Sequence, residues 1–176
     1  ITTVSETYAQ EIQMPFYGEG LDGLMRARNN CLMGIVNGID YDEWNPETDP
    51  MIPVHYNAIT FRKEKYKDKC ALQEELGLEV NADKFMIGLV SRLTDQKGLD
   101  LVDYVMDQIC ADDVQFVVLG TGNAKYENMY RYFAWKYPGR VSANIFYSNE
   151  RSHKIYAACD AFLMPSLFEP CGLSQL

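Results

Sequence analysis

Cationic charge is scarce in this sequence: 16 Lys and Arg stand against 25 Asp and Glu, a net charge of −9 over 176 residues. Gripping a nucleic-acid backbone or an anionic lipid surface needs clustered cations, so neither is an expected partner. Long apolar runs are missing too. The longest, Phe85 to Val90, Phe116 to Leu119 and Ala161 to Met164, fall far short of the roughly 20 residues of a membrane span, and a soluble chain is expected. Imidazole is nearly absent, with His55 and His153 alone, and the five cysteines (Cys31, Cys70, Cys110, Cys159, Cys171) include no C-x-x-C pair. That combination argues against a zinc site or a disulfide framework and for a reducing compartment. No initiator Met and no basic-then-apolar leader opens the chain. Both ends read as abrupt, Ile1 to Val4 inside a strand and Ser174 to Leu176 inside a helix, so a piece of a larger protein is expected.

What is present is a regular alternation. The first 30 residues read as a short strand, a helix opened by Ser5 as N-cap, and a glycine-rich loop from Gly18 to Gly23. Asn37 to Pro53 is rich in Asn, Asp, Pro and Gly, which places a hinge just before it, near Cys31 to Val36. Beyond it, helices are expected over Lys63 to Leu76 (its apolar face Tyr66, Cys70, Ala71, Leu76; its stop Gly77), Leu99 to Ile109, Ala124 to Tyr137 and Arg151 to Cys159. Strands are expected over Phe85 to Val90, Val114 to Leu119, Val141 to Tyr147 and Ala161 to Met164. These strands are apolar at successive positions, as strands covered by helices on both faces are. The pattern predicts an α/β fold, a Rossmann-like, doubly wound parallel sheet.

Ligands of such sheets bind beyond the carboxyl ends of the strands, so the residues just after each strand carry the chemistry. Arg92 and Lys97 follow the first long strand, and a cation pair there suits a diphosphate, although two solvated surface cations or an Arg92–Asp95 pair fit the spacing as well. Gly120-Thr121-Gly122 follows the second, either for close backbone approach to a ligand or as a tight turn, with Asn123 placed to cap the next helix. Tyr147 follows the third and can stack on a nucleobase or stand at the rim. Phe168-Glu169-Pro170-Cys171-Gly172-Leu173 follows the fourth. There Glu169 can bind sugar hydroxyls or cap a helix, and Cys171 can be a packing residue or a thiol activated by a helix start. His153 lies among Ile155, Tyr156 and Ala157 and reads as structural or as rim.

Ser91-Arg92-Leu93-Thr94-x-Gln96-Lys97-Gly98-Leu99 and Pro165-Ser166-x-Phe168-Glu169-Pro170-Cys171-Gly172-Leu173-x-Gln175-Leu176 resemble the donor-binding motifs of bacterial glycogen synthases and plant starch synthases. Val4-Ser5-x-Thr7-Tyr8, Gly18 to Leu24, Gly34-Ile35-x-Asn37-Gly38-Ile39-Asp40 and Trp44-Asn45-Pro46 extend the likeness in the family's order over nearly the whole chain. The resemblance implies part of a two-domain GT-B glycosyltransferase. Residues 1–30 would be the tail of the amino-terminal acceptor domain and the interdomain segment, and residues 31–176 a truncated carboxyl-terminal nucleotide-sugar domain. It implies retaining transfer of glucose from ADP-glucose to the non-reducing end of an α-1,4-glucan, in a bacterial cytoplasm or a plastid, with no cofactor and no metal.

By the same resemblance Arg92 and Lys97 hold the donor diphosphate and stabilise the leaving group. Glu169 contacts the transferred glucose, and Cys171, Gly172 and Leu173 offer backbone amides to sugar and phosphate. Tyr147 stacks on the base, Gly120 lines the site and Asn37 faces the cleft at the hinge. The family's Lys-x-Gly-Gly-Leu donor loop and its Thr-Gly-Gly loop do not occur in these 176 residues, so the isolated piece is expected to be inactive. The alternatives are a related retaining transferase using UDP-glucose, and a non-catalytic nucleotide-sugar-binding module.

Overall fold

Little regular structure is built from the first 60 residues of the computed structural model, which describes residues 1–176. Two-residue strands Thr2–Thr3 (β1) and Met33–Gly34 (β2) pair in parallel, and the short helices Glu6–Glu11 (α1) and Asp22–Ala27 (α2) lie between them in sequence. Ser5 caps α1 as its position predicts, its hydroxyl accepting the Tyr8 N–H at 3.0 Å. The stretch expected as loop gives way at Asp22, because Asp22 pairs one turn on with Arg26 at 2.7 Å and starts α2. These elements belong to one compact unit, Ile1–Asp40 with Phe168–Leu176, and Tyr41–Leu167 form a second.

The second unit contains helices Phe61–Leu76 (α3), Leu99–Ile109 (α4), Ala124–Lys136 (α5) and Asn149–Ala158 (α6). They alternate with strands Phe85–Val90 (β3), Val114–Leu119 (β4), Val141–Asn144 (β5) and Ala161–Phe162 (β6). The strands form one parallel sheet in the order β5-β4-β3-β6. The chain steps one way from β3 through β4 to β5, then crosses back to place β6 on the other side of β3. That reversal is the switch point where open α/β sheets leave a crevice. No helix is long and apolar enough to cross a membrane.

The alternating direction of side chains along β4 explains its unbroken apolar run. Phe116 and Val118 enter one core cluster with Leu89, Leu99, Val102, Met106, Tyr126, Tyr130 and Phe133, on the side of α4 and α5. Val117 and Leu119 enter the other, with Leu72, Met86, Ile155 and Ala158, on the side of α3 and α6. β5 is shorter than predicted because its partner runs out: Asn144 is paired with Leu119, the last residue of β4.

The α3 helix has nearly its expected extent and ends at Gly77 in the left-handed conformation, but its buried face is shifted, with Cys70, Ala71 and Leu76 only half-buried. Tyr66 is 47% exposed, whereas Asp68, Lys69, Leu72 and Gln73 are buried. Three polar side chains are tolerated there because each finds a partner, although Oδ2 of Asp68 has none. Asp68 accepts the Val54 N–H at 2.9 Å, Lys69 meets Asp160 at 2.7 Å, and Gln73 donates to Gln115 at 2.7 Å. All five cysteines are free thiols; burial pushes Cys110 up to about 11 and Cys159 up to about 12.

Candidate functional site

The loop after β3 is bound to the loop after β4 by main-chain bonds. Leu93 N–H donates to Thr121 O at 2.9 Å, and Asn123 N–H donates to Leu93 O at 2.7 Å, so Leu93 and Gly122 form a strand-like bridge. The backbones meet so closely that a side chain has no room. A Cβ at Gly120 would run into the carbonyl oxygen of Ser91, and one at Gly122 into that of Leu93. The Gly-x-Gly is therefore required for packing one loop on the other. Leu93, 0% exposed, anchors the loop in the core from below.

Above this platform lies a cavity of about 240 Å³ at the carboxyl ends of β3, β4 and β5, lined by Ser91, Arg92, Gly120, Thr121, Tyr147 and Ser152 among others. Arg92 and Tyr147 are exposed on its rim, Tyr147 with 89% of its surface free. An exposed ring beside a guanidinium can cover a planar group while the cation meets an anion. Lys97 is half-buried at the end of a 3-10 turn, Asp95–Lys97, that leads into α4. On the far side of that turn Leu167 N–H donates to Gln96 O at 2.9 Å, tying it to the segment after β6.

The sequence left open an Arg92–Asp95 pair, and Asp95 is engaged elsewhere. Its Oδ1 accepts the Tyr126 hydroxyl at 2.6 Å, and the Asn123 amide lies 3.5 Å from its Oδ2. Asn123 consequently does not cap α5 through its side chain. Tyr126 escaped the sequence reading. A signal existed, since a Tyr one turn into a helix and on its buried side needs a partner for its hydroxyl.

The other site residues lie in the first unit. Asn37 donates its amide to the Cys171 carbonyl at 3.1 Å, joining positions 134 apart in sequence. The Glu169 carboxyl carbon comes within 2.9 Å of where a Cβ at Gly172 would stand, so residues 169–172 are tightly folded. Phe168 meets Tyr17 edge-to-face at 6.2 Å. Gly172 precedes a single 3-10 turn, Leu173–Gln175, where a longer helix was expected, and Leu173 is exposed. Arg92, Gly120 and Tyr147 thus share one cavity, with Lys97 on the adjoining turn. Asn37, Glu169, Cys171, Gly172 and Leu173 form a second group in the other unit.

His153 is the structural residue that the sequence suggested. It is 2% exposed, bonded through Nδ1 to Asp49 at 2.7 Å and stacked on Trp44 at 3.9 Å. An Asp-x-Asp spacing occurs at Asp40-Tyr41-Asp42, but no group of three or more His, Cys, Asp or Glu side chains is arranged to hold a metal ion.

A Rossmann-like parallel sheet with a rim cation and ring beyond its strand ends has the build of a domain of the GT-B fold. Residues 74–176 match the description of the glycosyl transferases group 1, and the chain belongs to that family. Residues 1–27 match the starch synthase catalytic domain. Over all 176 residues the chain is 77% identical to a glycogen synthase of Lachnospira eligens and 72% to one of Lachnoclostridium phytofermentans, and it spans 37% of the length of each. The catalytic domain of starch synthase IV from Arabidopsis thaliana, solved bound to ADP and acarbose, superimposes with a TM-score of 0.90 at 38% identity. That superposition covers 99% of this chain and 36% of the other. The likeness read from the motifs and the fold class read from the strand pattern are both borne out.

Proposed function

We propose that this chain supplies the donor side of a retaining glucosyltransferase, which moves glucose from ADP-glucose to the 4-hydroxyl at the non-reducing end of an α-1,4-glucan. One observation carries the reading. Arg92 and Tyr147 share a cavity of about 240 Å³ at the edge of the sheet where nucleotides bind. The curated relatives called glycogen synthases and the ADP-bound starch synthase support it. On this reading Tyr147 covers the adenine, and Arg92 and Lys97 hold the diphosphate. Their charge stabilises ADP as it departs, because it is in place before the glycosidic bond breaks. Glu169 positions the glucose and faces its developing positive charge, with the amides around Cys171, Gly172 and Leu173 and the Asn37 side chain completing the sugar site. The relatives are bacterial, which favours a bacterial cytoplasm over a plastid as the setting.

Calorimetric titration with ADP, ADP-glucose and UDP-glucose tests the proposal. ADP-glucose should bind more tightly than UDP-glucose. Arg92→Ala should weaken ADP by at least about tenfold, the worth of a charge-assisted hydrogen bond to phosphate. Unchanged ADP affinity in Arg92→Ala would overturn the site, and a preference for UDP-glucose would overturn the donor.

A further inference from the structure

The loop that carries the two cations also carries a carboxylate. Asp95 stands three residues from Arg92 and two from Lys97. A carboxylate there would compete with any diphosphate, the more so in a chain of net charge −9. The structure disposes of it in a definite way. Oδ1 of Asp95 accepts the Tyr126 hydroxyl at 2.6 Å, and Oδ2 lies 3.5 Å from the Asn123 amide. Both partners belong to the amino end of α5, a 13-residue helix whose first turn favours negative charge.

Tyr126 is itself fixed. Its ring is 1% exposed within the core cluster, and the Lys125 ammonium lies 4.8 Å from its centre. The hydrogen bond to Asp95, then burial, pushes its phenol up to about 12, so it remains a donor across the working pH range.

We infer that Tyr126 is a positioning residue of the donor site: by hydrogen-bonding Asp95 against the amino end of α5, it keeps that carboxylate off Arg92 and leaves the guanidinium to the diphosphate. The inference rests on the donor-site reading above and deepens it. Tyr126 touches no substrate; it acts through Asp95. Two effects of the bond are separable. It fixes the shape of the 3-10 turn, and it removes a competing charge. The proposal assigns the larger share to the second.

The experiment is ADP titration of the wild type and of Tyr126→Phe, Asp95→Asn, the double variant and Arg92→Ala, each checked for folding by thermal melt. Tyr126→Phe keeps the buried ring and frees the carboxylate, and ADP should bind about fivefold more weakly, the order of one exposed ion pair. Asp95→Asn alone should bind ADP no more weakly than wild type. The double variant should return to within about twofold of wild type, because an amide brings no negative charge to the guanidinium. A structural brace would give the opposite pattern: Asp95→Asn would bind ADP more weakly, and the double variant would stay as weak as Tyr126→Phe. Either result overturns the inference, and the Asp95→Asn arm decides by itself should Tyr126→Phe fail to fold. Arg92→Ala separates the two layers. If it weakens ADP while Tyr126→Phe binds like wild type, the donor site stands and the inference falls. If Arg92→Ala binds ADP like wild type, both fall.

Discussion

Two irregular segments of the second unit are held by opposite means. The turn from Ser91 to Gly98 is fixed mainly by backbone against backbone, through the Leu93 bonds to Thr121 and Asn123 and the glycines that permit them, with the Asp95–Tyr126 bond as its side-chain tie. The segment from Tyr41 to Thr60 is fixed by side chains. Asp49 takes the Met51 N–H at 2.8 Å and His153 Nδ1 at 2.7 Å, Trp44 stacks on His153, and Asp68 takes the Val54 N–H at 2.9 Å. On the donor-site reading proposed above, a main-chain frame holds this turn in shape whatever its cations bind. A segment that covers α3 and α6 can be tied by whatever polar groups reach it.

The largest effect should come from the backbone lock. Gly122→Ala places a methyl against the Leu93 carbonyl oxygen and forces the two loops apart. Overpacking of this kind costs about 3 kcal/mol where backbone must move. For a domain of this size that lowers the Tm by about 6 to 12 °C. ADP binding should weaken along with it, because the turn bearing Arg92 shifts. A variant that melts like wild type would show the contact is loose and would undo the comparison.

The same contrast accounts for what was readable beforehand. β3, β4 and α4 have the ends the sequence predicts, because their signals are local: successive apolar residues in the strands, and Leu99, Val102 and Met106 on one helical face. The cavity followed from the rule that strand ends carry the site. The buried face of α3 did not follow. Asp68, Lys69 and Gln73 are buried only because Val54, Asp160 and Gln115 meet them, and none of those partners is near in sequence. The Asp49–His153 bond spans 104 positions, and the Tyr126–Asp95 bond 31. Polar side chains reveal their role only once the fold supplies the partner.

On the side-chain-tied segment the effect should be smaller but still clear. Asp49→Ala leaves a buried imidazole nitrogen and the Met51 N–H without their acceptor, which costs about 2 kcal/mol. A thermal melt should show a fall of about 4 to 8 °C. ADP binding should hold, since Asp49 lines a separate cavity with Trp44 and Tyr56. Loss of ADP affinity at unchanged stability would mean that the segment serves the site, and the division drawn above would fail.

The smallest effect belongs to the end of that segment, where the chain turns into α3. Thr60 precedes the helix without a side-chain cap, and the role passes to Asn57. Its Oδ1 accepts from the Ile59 N–H at 2.9 Å and the Thr60 N–H at 3.0 Å, while Thr60 Oγ1 accepts the Asn57 N–H at 3.0 Å. The amide of Asn57 also donates to Glu47 at 2.7 Å, which ties the turn back to the covering segment. Asn57→Ala removes the acceptor from both N–H groups, and capping losses of this kind cost about 1 kcal/mol. The exposed position lets water take over part of the bonding, so a Tm lower by about 2 to 4 °C is the expected reading. Asn57→Asp keeps the acceptor but loses the donor to Glu47 and sets a second carboxylate against it. A loss in Asn57→Asp as large as in Asn57→Ala would place the stabilisation in the Glu47 bond and not in the turn.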